Sequence, residues 1–158
     1  MAVTLDNLDA RILEELQEDA TVSMIDLAEK VGSSKSVVWR RVQTFIEEGV
    51  IDRQVAILNP KKVGCDVIVF ALVKMSRHNS NALPKFIESV QAIPQVLECH
   101  TVLGHVDFML KIVTGSIEEY RDVVWTKLSK LEVQEISSMI SIEQSVNRTK
   151  LPLRHIGS

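Results

Sequence analysis

The chain has 158 residues, 46% of them hydrophobic and 25% charged, a globular composition that excludes wholesale disorder and allows one medium core or two small ones. No apolar run approaches the ~18 residues of a membrane-spanning helix, and the start MAVTLDNLDARIL carries acids where a secretion signal has a basic end and an apolar block, so a cytoplasmic protein with no membrane role is expected. A net charge of −3 argues against coating nucleic acid or anionic lipid by bulk electrostatics, while leaving a local basic patch open.

Leu5, Leu8, Ile12, Leu13 and Leu16 recur at three- and four-residue steps, the apolar stripe of an amphipathic first helix that runs to about residue 19. Ser23, with Asp26 three residues on, is placed to N-cap a second, short helix. Ile25, Leu27, Ala28 and Val31 give that helix its buried side before Gly32 ends it. Ser33 or Ser34 caps a third helix with Val38, Val42 and Phe45 as its inward stripe and Gly49 as its close. Ala28 and Gly32, four apart, suit the close crossing and tight turn of a helix-turn-helix. Val38, six positions after the glycine, suits the anchor of its recognition helix.

After Gly49 the period changes. Val50, Ile51, Val55, Ile57 and Leu58 predict a strand or wing that stops at Asn59-Pro60. Beyond this linker VIVFALV (67–73) reads as a buried strand, 82–90 as a helix that Pro84 helps open, and 96–103 with 106–113 as a hairpin turning at Gly104-His105. Ser116 caps a helix with Glu118, Glu119 and Asp122 in its opening turns, and 135–142 alternates as a last half-buried strand. Strand, helix, strand, strand, helix, strand is the ferredoxin-like βαββαβ order, with both helices on one sheet face. The other face needs a cover, for which self-association is the simplest source. Cys65 and Cys99 lack CxxC spacing; they predict neither a disulfide framework nor a zinc site and read as buried apolar fillers.

Charge sharpens the reading of the helical part. Residues 1–62 hold 8 Lys and Arg against 11 Asp and Glu, and the rest of the chain holds 10 of each, so the whole deficit is N-terminal. Yet from Lys30 to Ile46 there are Lys30, Lys35, Arg40 and Arg41 and no acid. With Val38 at zero on the helical wheel, Val42 and Phe45 fall at about 40° and 340°, and Ser36, Gln43 and Arg40 at about 160°, 140° and 200°. The polar trio therefore faces away from the core. Arg suits a guanine edge, Gln an adenine edge, and Ser either role. Lys35 and Arg41 suit phosphates, as do the backbone N–H groups near Ser34 at the helix start. Trp39, at about 100°, flanks this face and either packs inward or stacks on sugar.

The runs LDNLDARILEEL, LAEKVGSSKSVVWRRVQTFIEEGVI and ILNPKKVG closely resemble the DNA-binding half of the leucine-responsive regulatory protein/AsnC (feast/famine) family of transcription regulators. VLECHTVLGHVDFMLKIV resembles the central hairpin of that family's amino-acid-responsive domain, and IEQSV…LPL its last strand and tail. The resemblance implies an α+β chain: an N-terminal winged helix-turn-helix domain (1–62) followed by a ferredoxin-like βαββαβ sensory and oligomerisation domain (63–158). It further implies binding of double-stranded DNA as a homodimer, assembly of dimers into octamers, no cofactor, no metal, and an amino-acid effector between sensory domains. By the same resemblance, Gly104, His105 and Asp107 form the effector corner, and Met139, Ile140 and Ser141 supply its side-chain pocket. Asp107 either accepts from an α-ammonium group or only fastens the hairpin turn. His105 stands where the family often has an acid, and either reads a ligand carboxylate or sits in solvent.

The leading expectation is thus a sequence-specific, amino-acid-responsive transcription regulator reading DNA with Ser34, Lys35, Ser36, Trp39, Arg40, Arg41 and Gln43. One alternative is a small ferredoxin-like enzyme with a helical appendage. It lacks a phosphate loop, a nucleophile elbow, HExxH and an obvious Ser/His/Asp set, so no enzyme is expected. The other, a sensory oligomer that does not bind DNA, is weakened by the basic window.

Overall fold

The computed structural model describes residues 4–76, 82–153 and 156. Its contacts divide into two compact units, Met1–Ala56 with Val146–Ser158, and Ile57–Ser145.

In the first unit three helices form, α1 (Asn7–Glu18), α2 (Met24–Lys30) and α3 (Lys35–Glu47). Each begins on a side-chain cap: Asp6 accepts from the Asp9 N–H, Ser23 from Asp26 and Ser34 from Val37. At the α2–α3 turn Gly32 takes φ 62, a left-handed conformation unfavourable to other residues. That turn lets the Ser33 N–H reach the Ala28 carbonyl at 2.9 Å. Ile12, Leu13 and Leu16 meet Leu27, Ala28 and Val31 and, from α3, Val38, Val42 and Phe45 in one buried cluster. Each large aliphatic or aromatic side chain so buried contributes about 1.5–3 kcal/mol.

The predicted strand after Gly49 is not formed within the chain. Residues 52–59 are irregular and exposed, because an isolated β-branched run has no neighbour here to complete its hydrogen bonds. The first unit ends at Ala56, and the tail from Val146 returns to it. The Gln17 side-chain amide accepts from the Leu151 N–H at 2.6 Å and donates to its carbonyl at 3.3 Å. Lys150 meets Glu18 at 2.7 Å, and Leu153 packs against the helical cluster. No strand follows residue 140 in the described part of this tail.

The second unit carries β1 (Val67–Met75), α4 (Ala82–Gln91), β2 (Val96–Thr101), β3 (Phe108–Thr114), α5 (Ile117–Thr126) and β4 (Val133–Ile140). The strands pair antiparallel in the order β2-β3-β1-β4, the predicted ferredoxin-like arrangement. Alternation sends Val69, Ala71 and Val73 of β1, and Phe108, Leu110 and Ile112 of β3, into a core with Phe86 and Val90 of α4 and Tyr120 and Val123 of α5. By register the opposite face bears Ile68, Phe70, Leu72, Met109 and Val113, all half-buried. It also bears an ion chain in which Glu98 meets Lys111 at 2.7 Å and His100 at 3.3 Å. The Lys111 ammonium, then His100, holds the Glu98 carboxyl below its usual range. Cys65 and Cys99 are both exposed rather than buried fillers. Cys65 follows the left-handed turn at Gly64, and Cys99 lies on the edge strand β2.

Candidate functional site

The outer face of α3 is built by its cap and its anchors. The Ser34 hydroxyl accepts from the Val37 N–H at 3.4 Å and sits 3.2 Å from the Ser36 hydroxyl, which organises the first turn. Val38, Val42 and Phe45 hold the opposite side in the core. Lys35, Ser36 and Arg40 are consequently exposed and Gln43 is half-buried. Trp39 is 54% exposed, so the indole is not a core residue. With Ser34, Lys35, Ser36, Val37 and Arg40 it lines a shallow open concavity. The arrangement presents a bidentate donor, hydroxyls, an aromatic plane and a lysine on one helix of a width the major groove admits.

Arg41, expected to meet phosphates, is paired within the chain. It lies on the α1 side of α3, where Nη1 donates to both oxygens of Asp9 at 3.0 Å and Nη2 meets Asp6 at 3.0 Å. Asp9 is only 2% exposed. Asp6 and Asp9 also exchange N–H···O bonds at 2.9 Å as the capping box of α1. The Asp9 backbone N–H, together with the Arg41 guanidinium, keeps the Asp6 carboxyl below its ordinary range. Sequence reasoning gave these two acids no part in the site. The signal was present as an acid pair three apart ahead of an apolar stripe.

The residues expected to form the effector site fall into two groups. At the β2–β3 hairpin, Gly104 takes φ 152, and His105 is exposed. Asp107 is bonded into the sheet: its N–H donates to the Val73 carbonyl at 2.9 Å, its carbonyl accepts from Val102 at 3.0 Å, and its Oδ2 accepts from the Met75 N–H at 2.7 Å. Met139 and Ile140 lie opposite Phe70 and Val69, and the Ser141 N–H continues the ladder to the Ile68 carbonyl at 2.8 Å. The hairpin is therefore at the Val73–Met75 end of β1 and the second group at its beginning, roughly 10–16 Å away along the strands. Met139 and Ile140 also point to opposite sheet faces. One chain does not gather these six residues around a single small ligand.

Asp107→Ala is expected to cost about 1–3 kcal/mol by leaving the Met75 N–H unpaired, read as a lower melting temperature of the sheet unit. An unchanged melting temperature would show that the carboxylate does not fasten the hairpin. Among the described residues no three His, Cys, Asp or Glu side chains are grouped as metal ligands, and no helix is long and apolar enough to cross a membrane.

A capped helix-turn-helix with an exposed polar recognition face, joined to a ferredoxin-like sheet unit, defines a DNA-binding transcription regulator. Residues 68–151 match the Lrp/AsnC ligand binding domain family, and residues 5–52 the winged helix-turn-helix DNA-binding family. The chain belongs to the Lrp/AsnC family. It is 40% identical to the proline dehydrogenase transcriptional activator of Rhizobium radiobacter, over 92% of this chain and 93% of that one. The solved AsnC family transcriptional regulator from Agrobacterium tumefaciens superposes with a TM-score of 0.92 at 39% identity, covering 96% of this chain and 99% of that one. A Neisseria meningitidis transcriptional regulator, solved as a complex with L-Met, gives a TM-score of 0.91 at 29% identity, with coverages of 96% and 99%.

Proposed function

We propose that this chain is a cytoplasmic, non-enzymatic regulator that reads a roughly palindromic operator as a homodimer and responds to an amino acid. The observation that carries the reading is the outer face of α3, where Ser36 and Arg40 stand exposed beside half-buried Gln43. Ser36, Arg40 and Gln43 read base edges, Lys35 and the N–H groups at the Ser34 cap take phosphates, and Trp39 stacks at the margin. The L-Met complex of the Neisseria relative supports an amino-acid effector. Because the hairpin group and the Met139 group stand at opposite ends of one sheet, the effector site draws on more than one chain. Gly104, His105 and Asp107 come from one subunit, and Met139 and Ser141, with Ile140 beside them, from another. The half-buried apolar sheet face supports the same association, up to an octamer built of four dimers.

The test is a duplex-binding titration with wild type and Arg40→Ala, each with and without L-Met and the other amino acids. Arg40→Ala is expected to lose about 1–3 kcal/mol on the preferred duplex and to relax its specificity, and one amino acid is expected to shift the wild-type curve. Equal binding of every sequence by both proteins would refute the DNA-reading face. A curve that no amino acid moves would refute the effector.

A further inference from the structure

The DNA-reading assignment leaves the charged cluster of Arg41 with Asp6 and Asp9 unused. We propose that Arg41 is a positioning residue that sets the rotation of α3 against α1, and that it makes no phosphate contact. The inference rests on α3 being the DNA-reading helix.

Three observations carry it. First, both terminal nitrogens of Arg41 are committed: Nη1 to the two Asp9 oxygens and Nη2 to Asp6, all at 3.0 Å. Second, Asp9 is 2% exposed, and a carboxylate so buried requires its counter-charge in place. Withdrawing Arg41 toward a phosphate would strand it. Third, two carboxylates around one guanidinium leave the cluster net negative, which disfavours a phosphate beside it. Lys35 and Arg40, by contrast, lie exposed with no carboxylate partner among the described residues.

The apolar anchors Val38, Val42 and Phe45 hold α3 down but act without direction. A guanidinium whose two terminal nitrogens each hold a different carboxylate is directional. Arg41 adjoins Arg40 in sequence, so tying it to the first turn of α1 fixes where Arg40, Ser36 and Gln43 point. The capping box that starts α1 is thereby linked to the aim of the recognition helix.

The experiment uses the full chain and two probes, a duplex selected by the wild-type protein from a random-sequence pool and a scrambled duplex. Affinities are measured across salt concentrations for wild type, Lys35→Ala, Arg40→Ala, Arg41→Lys, Arg41→Met and Asp9→Asn, each checked by circular dichroism at the assay temperature. Lys35→Ala, the phosphate control, should lower the salt slope by about 1. Arg41→Lys keeps the charge but loses the fork. It should leave the slope unchanged, weaken the selected duplex about tenfold and narrow the preference over the scrambled one. Asp9→Asn, at a buried carboxylate, should do the same, and combining it with Arg41→Met should cost no more than the worse single change. If Arg41→Met does not fold, Arg41→Lys and Asp9→Asn decide. Wild-type affinity in Arg41→Lys, a slope lowered by about 1 in a folded Arg41→Met, or tighter binding by Asp9→Asn would overturn the inference while leaving α3 as the reader. Unchanged binding by both Lys35→Ala and Arg40→Ala would overturn the reader and this inference together.

Discussion

Phe45→Ala is expected to abolish operator binding by unfolding the helical unit while the sheet unit stays folded. Phe45 is 2% exposed and lies in the cluster that joins α3 to α1 and α2. Truncating a buried phenylalanine costs about 3–5 kcal/mol, the lost transfer energy plus the cavity left behind. A helical unit of this size has little stability to spare, since small domains bury a low fraction of their surface. The Phe45 carbonyl also accepts from the Ile51 N–H at 2.9 Å at the end of α3, so the collapse would extend to the helix terminus. Duplex titration should show no saturable binding, and far-ultraviolet circular dichroism should lose helix signal at temperatures where the wild type is intact. Wild-type operator affinity in this variant would mean that something other than the buried cluster holds α3.

The helices of this unit were legible because each carries its own local signals. Ser23 and Ser34 cap, Gly32 turns, and the stripes at Leu13–Leu16 and Val38–Phe45 recur at helical spacing, all within a few residues of one another. The βαββαβ order was legible for a similar reason, since the period change at each element is a local property. What failed depends on partners far along the chain. The helical wheel sorted the faces of α3 but did not name the neighbour of Arg41, which is Asp9, 32 residues earlier. It likewise placed Trp39 on the flank without saying that the flank is open. The run after Gly49 has strand propensity, yet a strand needs a partner to bond, and propensity carries no information about one.

The effector region shows the same limit more sharply. Gly104, Asp107 and Met139 can be named from sequence, but whether they converge depends on register. Antiparallel pairing of Val73 with Phe108 and of Phe70 with Met139 sets the hairpin and the end of β4 at opposite ends of β1. Within one chain these two groups therefore stand apart. The tail was recognised by resemblance but its position was not: after β4 its residues carry no periodic pattern, and their place is set by Gln17 and Glu18 on α1.

Phe86→Ala tests the complementary half of this architecture. Phe86 of α4 is 2% exposed and stacks on Phe108 of β3 with ring centroids 4.5 Å apart and planes inclined by 25°. Its removal should cost about 3–5 kcal/mol as a cavity, to which loss of the ring pair adds about 0.5–1.5 kcal/mol. Both rings sit where α4 meets the central strands, so the damage reaches β1 and β3 and, through them, the hairpin and β4. The two hydrophobic clusters share no residue. Calorimetry should therefore show the sheet unit melting early while the transition of the helical unit stays in place. The effector response should vanish with the sheet, and, if subunits pair through the sheet face as proposed, DNA binding should persist only at the weaker level of unpaired helical units. A single transition displaced as a whole would instead show that the two cores melt cooperatively.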